Sequence, residues 1–188
     1  MMFWSRLLQR CSVLSLLAIA TALPINPVRA ESVFEPYKQT IREQIPIGLS
    51  LRLPEQILLS EAEQKNIDSF TVRVFVSQNP SRLTLSLHSC KTGNEPCLLG
   101  SFVTENGSNQ TAQTELDRHK NQGARITLRD GVFGYVVDSD RPQAADSFAT
   151  MMWAQDNMIH TLSFPQTERQ NMMYMAVSMA KSDSIFRP

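Results

Sequence analysis

Glycine is scarce in this chain, seven among 188 residues, and the seven are scattered rather than gathered into one loop. A loop that cradles phosphate on successive backbone N–H groups needs clustered glycines, so that mode of nucleotide binding is missing. Charge of one sign is lacking too. Lys and Arg number 18 against 18 Asp and Glu, with no long run of either, which excludes the basic stripe of a nucleic-acid binder. Gly-x-Ser-x-Gly does not occur, and scattered Ser, His and Asp side chains do not amount to a triad. The three histidines, His88, His119 and His160, show no ligand spacing. "DSD" at 138–140 lacks the twelve-residue calcium loop and its bidentate Glu. The expectation is a protein without metal or cofactor, and not an enzyme.

After the opening segment, no stretch is apolar enough to span a bilayer. The opening itself, "MMFWSRLLQRCSVLSLLAIATALPINPVRAES", has a basic head (Arg6, Arg10), an apolar run from Ser12 to Leu23, and small residues Val28 and Ala30 ahead of Glu31. That tripartite pattern predicts a cleaved signal peptide over 1–30, because the run is shorter than the ~20 residues a membrane helix needs. The expected mature chain, 31–188, is about the size of one domain. It keeps 15 basic against 18 acidic side chains, a net charge near minus three. The expected location is extracytoplasmic: a periplasm, a thylakoid lumen or the outside, with no transmembrane anchor after cleavage.

Cysteine is also rare. Cys11 lies in the leader, so the mature chain holds Cys90 and Cys97 in "HSCKTGNEPCLLG". A zinc site needs four ligands and only His88 is near, while a redox pair would have two intervening residues rather than six. Two cysteines flanking a turn-rich loop in an oxidising compartment predict a disulfide.

What remains is patterning. "SVFEPYKQTIREQI" (32–45) spaces Phe34, Tyr37, Ile41 and Ile45 as a helix face. "IGLSLRL" (47–53) alternates as a strand, as do "FTVRVFVS" (70–77), "RLTLSLH" (82–88) and "CLLGSFVT" (97–104). "PEQILLSEAEQKN" (54–66) fits either a helix or a loop with one turn. "ENGSNQTAQTELDRHKNQGA" (105–124) is polar; a helix around 113–121 fits it, and so does a loop. "RITLRDGVFGYVV" (125–137) and "FATMMWAQDNMIHTLSF" (148–164) read as hairpins turning at Asp130-Gly131 and Asp156-Asn157. In "QTERQNMMYMAVSMAKS" (166–182), Met172, Met175, Ala176 and Met179 form one helical stripe. The predicted fold is α+β: an antiparallel meander sheet of seven to eight strands packed with N- and C-terminal helices.

The leading "GLSLRLP" strand, the "W…D-N-x-x-x-x-L" hairpin and the final helix ending "AVSMA" resemble exported bacterial domains of unknown function. More loosely, the outline is similar to the extrinsic P-subunit family of photosystem II, although no tryptophan follows Pro54 here. The resemblance implies a small lumenal sheet-and-helix domain with a binding or assembly role, and it carries over no catalytic residue.

Seven of the nine methionines fall between Met151 and Met179. Their helical spacing reads first as core. The alternative is a small apolar pocket lined by Met151, Trp153, Met158, Met172, Met175 and Met179. Two functions follow as expectations. One is a non-catalytic domain that binds an envelope protein or assists assembly; the other is a carrier or sensor of an apolar small molecule.

Overall fold

The computed structural model describes residues 33–60, 70–90, 97–139 and 147–186. The predicted leader, most of the loop between the cysteines and part of 54–66 lie outside them. An antiparallel sheet of seven strands is flanked by helices from the two ends of the chain. The strands are β2 (Thr71–Gln78), β3 (Ser81–His88), β4 (Leu98–Asn106), β5 (Ala124–Arg129), β6 (Val132–Val137), β7 (Phe148–Gln155) and β8 (Met158–Pro165).

Their spatial order is β2-β3-β4-β8-β7-β6-β5, two meanders joined where β4 pairs with β8. The connection from β4 at the centre to β5 at the far edge runs through helix α2 (Gln110–Gln122), while α1 (Lys38–Gln44) precedes the sheet and α3 (Arg169–Lys181) follows it.

Period-two alternation gives the sheet two unlike faces. Leu83, Leu85, Leu87, Phe102, Met151, Trp153, Leu162 and Phe164 share one face, all nearly inaccessible to solvent. Against it pack Ile41 and Ile45 at and just beyond the end of α1, Phe34 ahead of it, and the α3 stripe. Phe102 anchors the layer, meeting Phe34 and Phe164 edge-on at 5.6 and 5.5 Å. Met172, Met175 and Met179 are 0–1% exposed. Burial of each side chain contributes about 2 kcal/mol relative to leaving it in water.

The two hairpin turns differ. At Asp130-Gly131 only Gly131 is left-handed, with φ 75°, and the register shifts between Thr127 and Arg129, whereas Asp156 and Asn157 both have positive φ, 51° and 60°. Consecutive left-handed residues match the right-handed twist of the flanking strands, and Asp and Asn tolerate that region better than most side chains.

The strand expected over 47–53 is shorter and placed differently. Only Ser50–Leu51 (β1) pairs, and its partner is Ile185–Phe186 (β9), near the end of the chain. Gly48 turns the chain at φ 83° and leaves Ile47 84% exposed, while Leu49 and Leu51 keep the buried face. The segment 105–124, open between helix and loop in the sequence, forms α2. Among the described residues no helix is long and apolar enough to cross a membrane.

Candidate functional site

The second face of the sheet is polar, and α2 covers only part of it. Asn109 caps the helix, its side chain accepting from Thr111 N at 3.1 Å. Ala112 and Leu116, four apart, seat the helix on Met152 and Ile159. Thr111, Glu115, Arg118 and Gln122 fall at zero, four, seven and eleven, so one flank of the helix becomes a wall. Between this wall and the sheet lies a groove of about 620 Å³.

The strand registers set out its floor. Arg82 on β3 stands opposite Glu105 on β4 at one end. Thr161 and Met152 face each other in the middle, and Thr150 beside Val137, with Phe148, closes the other end. The floor therefore runs from a charged end, through threonines and Met152, to a mixed end where Asp138 follows Val137.

Five charged side chains line the groove, and three have counter-ions. Glu115 takes both guanidinium bonds of Arg118, at 2.8 and 3.0 Å, and Asp138 accepts from Arg169 Nε at 2.6 Å. Arg82 and Glu105 have none among the described residues. Arg82 donates only to Thr84 Oγ1, at 3.4 Å. Glu105 is buried at 8% exposure, and its carboxylate accepts one bond, from Asn109 Nδ2 to Oε1 at 3.0 Å. A carboxylate has about four acceptor sites, so one amide donor leaves the others open to the groove.

His119 lines the same groove and is 2% exposed. Its Nδ1 lies 2.9 Å from the Glu115 carbonyl, which can only accept, so Nδ1 carries the proton. Burial lowers the affinity of the ring for a second proton. Nε2, itself buried, is then an acceptor with no hydrogen-bond partner among the described residues.

A second polar cluster lies under the core face near the Asp156 turn. Arg52, 8% exposed, reaches the Ser182 carbonyl and donates to Asp156 Oδ2 at 2.6 Å. This holds Asp156 below the usual carboxylate range. Gln155 donates to the Ala180 carbonyl at 3.1 Å, and His160 Nδ1 lies 3.1 Å from Thr104 Oγ1. The cluster ties the segment around β1 to the end of α3.

The residues singled out from sequence fall elsewhere. Cys90 and Cys97 are joined in a disulfide with Cα atoms 5.9 Å apart, so neither sulfur is a thiolate ligand. His88 Nδ1 lies 3.9 Å from Cys97 Sγ. Met151, Trp153, Met158, Met172, Met175 and Met179 are brought together, but as packed core, each 0–6% exposed. Among the described residues no group of three His, Cys, Asp or Glu side chains could hold a metal ion.

Arg82, Glu105 and His119 escaped the sequence reading as a site. Arg82 and Glu105 occupy polar positions of alternating strands, as any solvated residue does. His119 gave a faint signal, since it continues the apolar spacing of Ala112 and Leu116. Comparison with protein-family models, curated proteins and solved structures returns no match, so a function has to be argued from the groove.

Proposed function

We propose that this protein is a non-catalytic, extracytoplasmic binding domain that takes a small polar ligand into the groove between α2 and the sheet. The observation that carries this is Glu105, a buried carboxylate on the groove floor with a single hydrogen bond and no counter-ion among the described residues. The volume, about 620 Å³, suits a small molecule, for which sites of roughly 300–1,000 Å³ are usual. The Cys90–Cys97 bridge and the leader-like opening support an oxidising compartment. The polar lining favours this ligand class over the apolar cargo that the methionine stripe brought to mind, since those methionines are spent on the core.

The test is native mass spectrometry of protein purified from its own envelope, wild type beside Thr111→Trp. Thr111 is exposed on the groove wall, so an indole there fills the space without disturbing the core. A small molecule bound to the wild type and absent from the variant supports the reading. Identical ligand-free spectra, with no small molecule detected in solution assays, sink it.

A partner polypeptide is the second reading, favoured by β2. Among the described residues this strand has no neighbour on its outer edge, and Phe75 and Val76 are 55% and 38% exposed. An unprotected edge accepts an added strand. A photo-crosslinker at Phe75 that captures no protein in the native envelope would remove this reading.

A further inference from the structure

We infer that the groove recognises the ammonium and carboxylate of one small zwitterion, the head of an α-amino acid whose bulky side chain lies along the rest of the floor. This rests on the groove being a ligand site. Of the five charged side chains in the lining, Glu115, Arg118 and Asp138 are engaged in ion pairs. The two without counter-ions among the described residues, Arg82 and Glu105, are direct partners on adjacent antiparallel strands. Side chains so placed leave the same face with Cβ atoms roughly 5 Å apart. They do not pair with each other: Arg82 turns to Thr84 Oγ1 and Glu105 to Asn109 Nδ2.

One anion and one cation at that spacing, neither with a counter-ion among the described residues, are complementary to a cation and an anion on a single carbon. A simple amine would satisfy Glu105 and leave Arg82 bare. A simple carboxylate would do the reverse and crowd Glu105 with like charge. Beyond the charged pair the floor is mixed, with Met152, Val137 and Phe148 set among Thr161 and Thr150 and with Asp138 at the far end, so a bulky side chain has a surface to lie on.

Calorimetry on the full exported chain, disulfide intact, tests this with four probes: L-phenylalanine, phenethylamine, 3-phenylpropionate and glycine. Phenylalanine is expected to bind, and each of the other three at least tenfold more weakly. Glu105→Gln is nearly isosteric and keeps an acceptor for Asn109. It is expected to weaken phenylalanine at least tenfold and to bind 3-phenylpropionate no more weakly than the wild type does, because the like charge is gone. Arg82→Gln, at an exposed position, is expected to weaken phenylalanine and leave phenethylamine unchanged. Circular dichroism establishes that both variants fold.

Phenethylamine binding as tightly as phenylalanine would overturn the inference, as would an unaltered phenylalanine affinity in Glu105→Gln, or no binding of any probe. The groove reading fails separately. A co-purifying molecule that Thr111→Trp excludes, but that lacks an amino-acid head, overturns the zwitterion and leaves the ligand site standing.

Discussion

Trp153 and His160 lie opposite each other on β7 and β8 with their rings stacked, centroids 5.1 Å apart and planes 29° from parallel. The imidazole is 1% exposed, and its Nδ1 is engaged by Thr104. Burial first, and then the nearby Arg52 charge, push its pKa down to about 4, against a weaker pull from Asp156.

An acid-sensitive fold follows. In the unfolded chain this histidine titrates near 6.5, so between about pH 6.5 and 4 the unfolded state binds more protons. Stability is full above that window and falls as the pH drops through it, by about 3 kcal/mol for a shift of this size. His119, also shifted down by burial, acts in the same direction. Urea denaturation at pH 7, 5.5 and 4.5 should show a declining midpoint, and His160→Gln should flatten much of the decline. An equally steep decline in that variant would remove His160 as its source.

Arg52 is coupled to the same ring. Replacing it with Gln removes a charge that opposes protonation of His160, so the imidazole should titrate at higher pH. A two-dimensional NMR titration of the His160 ring protons reads this directly. The variant also loses the bonds to Ser182 and Asp156. The expected loss of stability is about 2 kcal/mol, typical of hydrogen bonds to a charged group. Asp156→Asn should cost less, because the amide oxygen still accepts from Arg52 and the bond from Arg52 to the Ser182 carbonyl is kept.

Gly100 and Gly131 should respond to alanine for different reasons. A Cβ on Gly100 would overlap the Phe164 ring, which Phe102 holds in place, so Gly100→Ala should destabilise by roughly 1–3 kcal/mol through overpacking. At Gly131 a Cβ meets nothing, but φ is 75°, and Gly131→Ala should cost about 1 kcal/mol of backbone strain. Thermal melts of both, with a compensating Phe164→Leu in the Gly100 background, separate the mechanisms. Rescue is expected at Gly100, and the same Phe164→Leu change should not rescue Gly131→Ala.

The disulfide closes a short loop, with a sequence separation of seven. On the chain-entropy model, such a link stabilises by about 2.5 kcal/mol. The double variant Cys90→Ser with Cys97→Ser should fold with its melting temperature lowered accordingly. Intact mass with and without reductant should differ by two hydrogens in the wild type alone.

Parts of this fold were legible from residue order alone. The β5–β6 and β7–β8 hairpins announce themselves through Asp130-Gly131 and Asp156-Asn157, and α3 through its methionine spacing, because all three are local patterns. Helix α2 was not separable from a loop, since only Ala112 and Leu116 give it an apolar contact and most of its other positions are polar. The β4–β8 pairing was hidden because register between distant strands is set by shared burial of residues such as Phe102 and Leu162, which no local spacing encodes. The groove was hidden for the same reason. Glu105 reads as a solvated strand residue until α2 crosses over the sheet beside it.

The ladder between β1 and β9 has a consequence for how the molecule is made. A chain emerging amino end first, from a ribosome or a translocation pore, presents Ser50 and Leu51 long before Ile185 and Phe186 arrive to bond them. Through most of that passage Leu49 and Leu51 have no shelter, and the segment is a natural grip for a chaperone. Of the ladders among the described residues, this is the last that synthesis can complete, and a product ending before Ile185 lacks it.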